Sequence, residues 1–164
     1  MTGVQTCALP ISCGTPGEGA TLTPRERADV IRTCVEAARG RCTIIAGAGS
    51  NSTAEAVEGV KLARELGADA ALVVVPFYNK PDARMQLAHF RAVAEEGGLP
   101  VVVYNVPGRT GANMDADTFL RLAEHPGIVA VKEASANLTR SRGSAARCRT
   151  ASRCCPATTP GPCR

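Results

Sequence analysis

Four short apolar runs recur along the chain at a near-constant interval, and this repeat limits the fold more than any other feature. The runs begin at Thr43 (T-I-I-A-G-A-G), Ala70 (A-A-L-V-V-V-P), Val101 (V-V-V-Y-N-V-P) and Ile128 (I-V-A-V-K-E-A-S), with starts 27, 31 and 27 residues apart. Each is apolar on both faces, as a parallel strand covered by helices must be. Helical patterns fill the gaps. Thr23-Pro24-Arg25-Glu26 is a capping-box start with proline at the first helical position, followed by apolar Ala28, Ile31, Val35 and Ala38 and closed by Gly40. Ser52 and Glu55 repeat the capping box ahead of Val57, Val60 and Leu66, and Gly67 supplies the stop. Two further helices are predicted over about residues 82–96 and 115–124.

Strand–helix alternation of this kind means α/β architecture with a parallel sheet, either an open doubly wound sheet or a closed eight-stranded barrel. A dinucleotide-binding open sheet needs a third glycine after Gly47 and Gly49, and Ser52 occupies that place. The two glycines are better read as serving a tight strand-end turn. Polar residues gather at the carboxyl ends of several runs, where barrel active sites lie. A complete barrel takes roughly 250 residues. The expected fold is therefore a partial TIM (β/α)8 barrel, about strands 3 to 6 with their helices, occupying residues 13–140.

The pattern breaks at both ends. Residues 2–11 resemble the translation of a common sequencing adapter, so residues 1–12 are expected to be a non-native leader. The tail over residues 141–164 contains no Val, Ile, Leu, Met, Phe or Tyr. Such a segment buries too little apolar surface to offset its ordering entropy, so disorder is expected there. Shifting the frame of residues 149–160 by one base, with GC-rich codons, makes accessible the string P-D-G-F-T-V-L-S-G-D-D-A. That string reads as a turn, a strand and an acidic strand-end loop, so the tail is expected to be frameshifted, the alternative being a natural disordered basic tail.

Charge follows the same division. The net charge is +4, but residues 141–164 hold five arginines and no acid, leaving residues 1–140 at −1. A basic nucleic-acid face is not supported. Of eight cysteines only Cys34 and Cys42 lie inside the patterned region, which fits neither a disulfide framework nor a zinc site. His89 and His125 are the only histidines, so no metal is expected. No run of 18 apolar residues exists to span a membrane, and the cytoplasm is the default compartment.

Lys132 ends the run I-V-A-V without a break. Burial of a lysine is costly, and desolvation lowers its pKa, leaving a neutral amine able to attack a ketone. The bland reading pairs Lys132 with Glu133 or lets it reach solvent. Tyr104 ends the preceding run, and adjacent barrel strands bring phenol beside amine, where the phenol can shuttle protons. Alone, Tyr104 could equally be a core aromatic with a satisfied hydroxyl. Arg109 lies in the following P-G-R-T-G loop, either gripping a carboxylate bidentately or standing in solvent.

Four motifs then coincide in order and spacing: Gly14-Thr15-Pro16-Gly17-Glu18, the Asn79-Lys80-Pro81 turn after Tyr78, Y-N-V-P-G-R-T from Tyr104 to Thr110, and Lys132-Glu133-Ala134-Ser135. Together they resemble the 4-hydroxy-tetrahydrodipicolinate synthase family of pyruvate-binding class I aldolases, over about residues 13–140. The arginine in Y-N-V-P-G-R-T favours this family over N-acetylneuraminate lyase.

The resemblance implies a lyase of lysine biosynthesis, on the diaminopimelate pathway, that condenses pyruvate with L-aspartate 4-semialdehyde through a Schiff base. Lys132 forms the imine, and Tyr104 donates and accepts protons. Thr15 relays protons between Tyr104 and Tyr78, with Tyr78 entering a neighbouring subunit's site. Arg109 binds the semialdehyde carboxylate. The parent enzyme is then a homo-oligomer, a dimer or tetramer, using no metal or organic cofactor. The alternatives are another pyruvate-dependent lyase, acting on N-acetylneuraminate or a keto-deoxy sugar acid, and a catalytically inert fragment. Pro16 departs from the family's threonine in the loop that holds the pyruvate carboxylate, removing a hydroxyl and a backbone N–H. Asn51 and Glu55 match the family's lysine-effector positions, whereas Arg27 and Phe77 replace its histidine and tyrosine, so weak or no lysine feedback is expected.

Overall fold

The computed structural model describes residues 10–135. Five strands, β1 (Ile11–Ser12), β2 (Ile45–Gly47), β3 (Ala70–Val74), β4 (Val101–Asn105) and β5 (Ile128–Glu133), form one sheet. All neighbouring pairs are parallel and the spatial order follows the sequence order. An open doubly wound sheet reverses its order at a switch point. This sheet never reverses, so its winding is that of a (β/α)8 barrel, present in part.

The repeat pattern revealed four of these strands. The fifth, β1, pairs Ile11 with Ile45 and Ser12 with Ala46, within the stretch assigned to the leader. Two residues carry no periodicity, so β1 had no signal of its own. The remainder of that leader, residues 1–9, and the predicted frameshifted tail over 141–164 lie outside the described residues, with Cys7, Cys148, Cys154, Cys155 and Cys163. Among the described residues no helix is long and apolar enough to cross a membrane.

The helices are α1 (Pro24–Ala38), α2 (Thr53–Glu65), α3 (Ala83–Gly97), a short α4 (Pro107–Thr110) and α5 (Ala116–Ala123). At α1 the capping box is complete: Thr23 N donates to Glu26 Oε2 at 2.9 Å and Glu26 N to Thr23 Oγ1 at 3.3 Å. The expected box at α2 is only half made. Glu55 N donates to Ser52 Oγ, but the Glu55 carboxylate accepts from Ser50 Oγ at 2.7 Å instead of reaching the Ser52 N–H. Ser50 in turn accepts from that N–H at 3.1 Å, so the orphan donor is satisfied by a nearer hydroxyl. Asp82 and Asp115 cap α3 and α5.

Strand alternation divides the sheet into two apolar faces. Toward the helices lie Val73, Val101, Val103, Ile128 and Val131, packed with Val57 and Val60 of α2, Phe90 and Val93 of α3 and Leu122 of α5. Ile45, Leu72, Val102 and Tyr104 form the inner face, joined by Val74, Val129 and Ala130.

A bulge in the β4–β5 ladder sets the register that matters most. Val101 pairs with Ile128, but Val102 pairs with Ala130, leaving Val129 as the extra residue. Val129 and Ala130 both pack on the inner face. A one-residue shift exchanges the faces of everything beyond it. The bulge thus brings Lys132, rather than Val131, into line with Tyr104.

Candidate active site

The carboxyl ends of the strands surround a cavity of about 680 Å³. Thr15, Gly47, Tyr104 and Arg109 contribute to its wall, as do Arg27, Asn51, Glu55 and Phe77. Beneath it the backbone is tightly packed. A Cβ on Gly47 or Gly19 would overlap the Cys13 carbonyl. Gly47, expected at a strand-end turn, is the last residue of β2 and lets two segments of the chain approach closely, which only glycine permits here.

Tyr104 is 7% exposed, at the end of β4. Lys132 is paired with it across the ladder, and Lys132 Nζ lies 4.5 Å from the centroid of the Tyr104 ring. Tyr104 is a wall residue of the cavity; Lys132 is not, and contacts the ring that is. Burial pushes the Lys132 pKa below the ordinary lysine value. Among the described residues no carboxylate lies within ion-pair distance of Lys132. The pairing of Lys132 with Glu133 considered from the sequence does not occur, because consecutive strand residues point to opposite faces.

Glu133 faces the helix side and belongs to a polar cluster that the sequence reading passed over. Asn105 Nδ2 donates to both Glu133 oxygens, at 3.1 and 3.0 Å, and to Asn113 Oδ1 at 3.0 Å. Asn105 Oδ1 accepts from Met114 N at 3.1 Å, and Glu133 Oε1 from Ser135 N at 2.8 Å. Asn105 is 1% exposed, and a buried amide of this kind needs all its partners. The available signal was its position directly after Tyr104 in Y-N-V-P.

Thr15 begins a 3-10 turn, Thr15–Gly17, whose second residue is Pro16. Gly17 N and Gly19 N both donate to the Gly14 carbonyl, folding this loop over the cavity. Arg109 is exposed on α4, and among the described residues it makes no ion pair. The buried Thr110 beside it fixes the turn, donating to the Ala112 and Val106 carbonyls. Tyr78 behaves differently: it is 88% exposed, has φ 71°, and is not part of the wall. Lys132, Tyr104, Thr15 and Arg109 are thus brought together around the ring and cavity, whereas Tyr78 is exposed and stands apart from them. Arg27 Nη2 donates to the Gly19 carbonyl at 2.6 Å, and Arg27 lines the cavity together with Asn51 and Glu55.

A sequentially wound parallel sheet with a lysine, a tyrosine and an arginine at its carboxyl ends has the architecture of a (β/α)8-barrel enzyme at its catalytic end. The chain belongs to the dihydrodipicolinate synthetase family, whose model matches residues 6–153. It is 58% identical over 130 residues to a 4-hydroxy-tetrahydrodipicolinate synthase of Anaeromyxobacter sp. (strain Fw109-5), covering 79% of this chain and 44% of that protein. Among solved structures it resembles the Acinetobacter baumannii dihydrodipicolinate synthase complexed with pyruvate, with TM-score 0.85 and 44% identity over 88% of this chain and 50% of that one. The Cyanidioschyzon merolae enzyme with lysine bound matches at TM-score 0.77 and 52% identity, over 80% of this chain and 45% of that one. The chain spans about half the length of the relatives it matches.

Proposed function

We propose that this chain carries the imine-forming part of a 4-hydroxy-tetrahydrodipicolinate synthase, which condenses pyruvate with L-aspartate 4-semialdehyde. The observation that supports this most is the Lys132 amine over the Tyr104 ring, at paired strand ends, in a chain of this family. Desolvation favours the neutral amine, which attacks the pyruvate ketone carbon. Tyr104 hands a proton to the carbinolamine hydroxyl, and water leaves as the imine forms. Loss of a methyl proton gives the enamine, which adds to the aldehyde. The substrate's own amine then displaces Lys132 as the ring closes. In this reading Thr15 relays protons, Arg109 holds the semialdehyde carboxylate, and the outward-pointing Tyr78 serves a neighbouring subunit of a homo-oligomer. At Pro16 the pyruvate carboxylate is held without the backbone N–H that another residue would offer. The reaction is expected in the cytoplasm and needs no metal or organic cofactor.

The test is borohydride trapping with pyruvate, followed by peptide mapping. The sequence holds three lysines, Lys61, Lys80 and Lys132, so the assignment is simple. A reduced adduct on Lys132 alone is expected. Absence of an adduct, or one spread over all three lysines, would sink the reading. The relative activities of semialdehyde, N-acetylneuraminate and keto-deoxy sugar acids in a full-length relative carrying this segment then decide the second substrate. Lysine feedback is expected to be weak, since Arg27 and Phe77 stand where the lysine-inhibited relatives carry histidine and tyrosine. Half-inhibition by micromolar lysine would contradict that.

A further inference from the structure

We infer that Asn105 and Glu133 are a positioning pair, a latch on the helix side of the sheet that holds Tyr104 and Lys132 in register on the other side. The inference rests on the proposed Schiff-base role of Lys132 and extends it to two residues that touch neither substrate nor cavity.

Asn105 and Glu133 are the final residues of β4 and β5 and face each other directly, one position beyond Tyr104 and Lys132. Upstream the ladder is interrupted at Val129, where the extra residue is left without a backbone partner across the strands. Downstream, the Asn105 amide spans the two strands by donating to both oxygens of Glu133. The same residue is tied to the following segment through Asn113 and Met114, and its carbonyl accepts from Ala134 N at 2.8 Å. A slip of one residue would break all these bonds and leave the buried Asn105 amide without partners, which is costly. It would also carry Lys132 to the helix face. The latch has a second consequence: with both oxygens engaged by Asn105 on the helix side, Glu133 is held away from the amine.

The test compares the full chain with Asn105→Ala, Glu133→Gln and the exchange variant Asn105→Asp/Glu133→Gln, which reverses donor and acceptor across the same pair. Reductive ¹³C-methylation reports the Tyr104 contact without any substrate. The Lys132 signal, assigned by its loss in Lys132→Arg, is expected upfield of Lys61 and Lys80 because it lies over an aromatic ring. Both single variants should move it toward the other two lysines and slow borohydride trapping about tenfold or more, as displacement of a reacting group does. The exchange variant should restore both signal and rate. Single variants that keep the wild-type resonance overturn the latch. An exchange variant as impaired as the singles also overturns it, because the loss is then one of packing and not of pairing. If the wild-type chain traps no pyruvate, the Schiff-base reading falls by itself, while the resonance still decides the latch.

Discussion

At the ends of β4 and β5 the two faces of the sheet treat a charged side chain in opposite ways. On the helix side both Glu133 oxygens accept hydrogen bonds from a buried amide. On the inner side, one residue earlier in the same strand, Lys132 lies half-buried against an aromatic ring, with no carboxylate in reach among the described residues. The Glu133 charge is met by hydrogen bonds. The unsatisfied one is destabilised as a cation and gives up its proton more readily. One face of the sheet therefore holds a desolvated amine and the other a hydrogen-bonded carboxylate.

The contrast breaks most sharply at Lys132 itself. Lys132→Met should abolish the pyruvate adduct while leaving the thermal midpoint unchanged or higher, because it replaces a desolvated cation with an apolar chain of similar reach; mass spectrometry and calorimetry read the two effects. Tyr104→Phe keeps the ring but loses the hydroxyl, and should slow trapping roughly a hundredfold, the lower range for removal of a general acid–base group. Trapping by the wild-type chain should rise with pH with a midpoint below the ordinary lysine value of about 10.4, measured across a pH series.

His89 sharpens the comparison from the helix side. It is 5% exposed, accepts or donates one hydrogen bond with Thr53 Oγ1 at 2.9 Å, and burial lowers its pKa from 6.5 to about 4. Like Lys132 it is a desolvated base, but it stands in the core away from the cavity wall. Between pH 6.5 and about 4 the unfolded chain binds a proton that the folded chain refuses, so stability is full above that window and falls as the pH drops through it. The loss is on the order of 3 kcal/mol. Urea unfolding at pH 7 and pH 4 should show it, and His89→Leu should remove most of that slope. The smallest effect belongs to the α1 cap: Thr23→Ala should cost about 1 kcal/mol in the same unfolding measurement and leave pyruvate trapping unchanged.

Much of the fold was legible because its signals are local. The four apolar runs became β2 to β5, and the caps at Thr23 and Ser52 began helices where the spacing placed them. The α2 box was half wrong because Ser50, two residues outside the motif, offered Glu55 a closer partner. The two-residue β1 is defined by its pairing with β2, so nothing within its own residues announced it. Among the residues at the cavity and the Tyr104 ring, Tyr104, Arg109 and Lys132 were singled out by their places at strand ends and in the following loop and Thr15 by motif order, whereas Asn105 was quoted inside Y-N-V-P without a role. Its function as a donor depends on Glu133, 28 residues away, and no local pattern records that pairing.

The sequence by itself determined the strand–helix repeat, the helix boundaries and the residue types at the strand ends, since these follow from side-chain periodicity and backbone capping. The tertiary structure alone decided which face each strand-end residue occupies. That choice turns on a single extra residue, Val129, whose bulge can be seen only against the neighbouring strand. It sends Lys132 to the Tyr104 ring and Glu133 to the Asn105 amide.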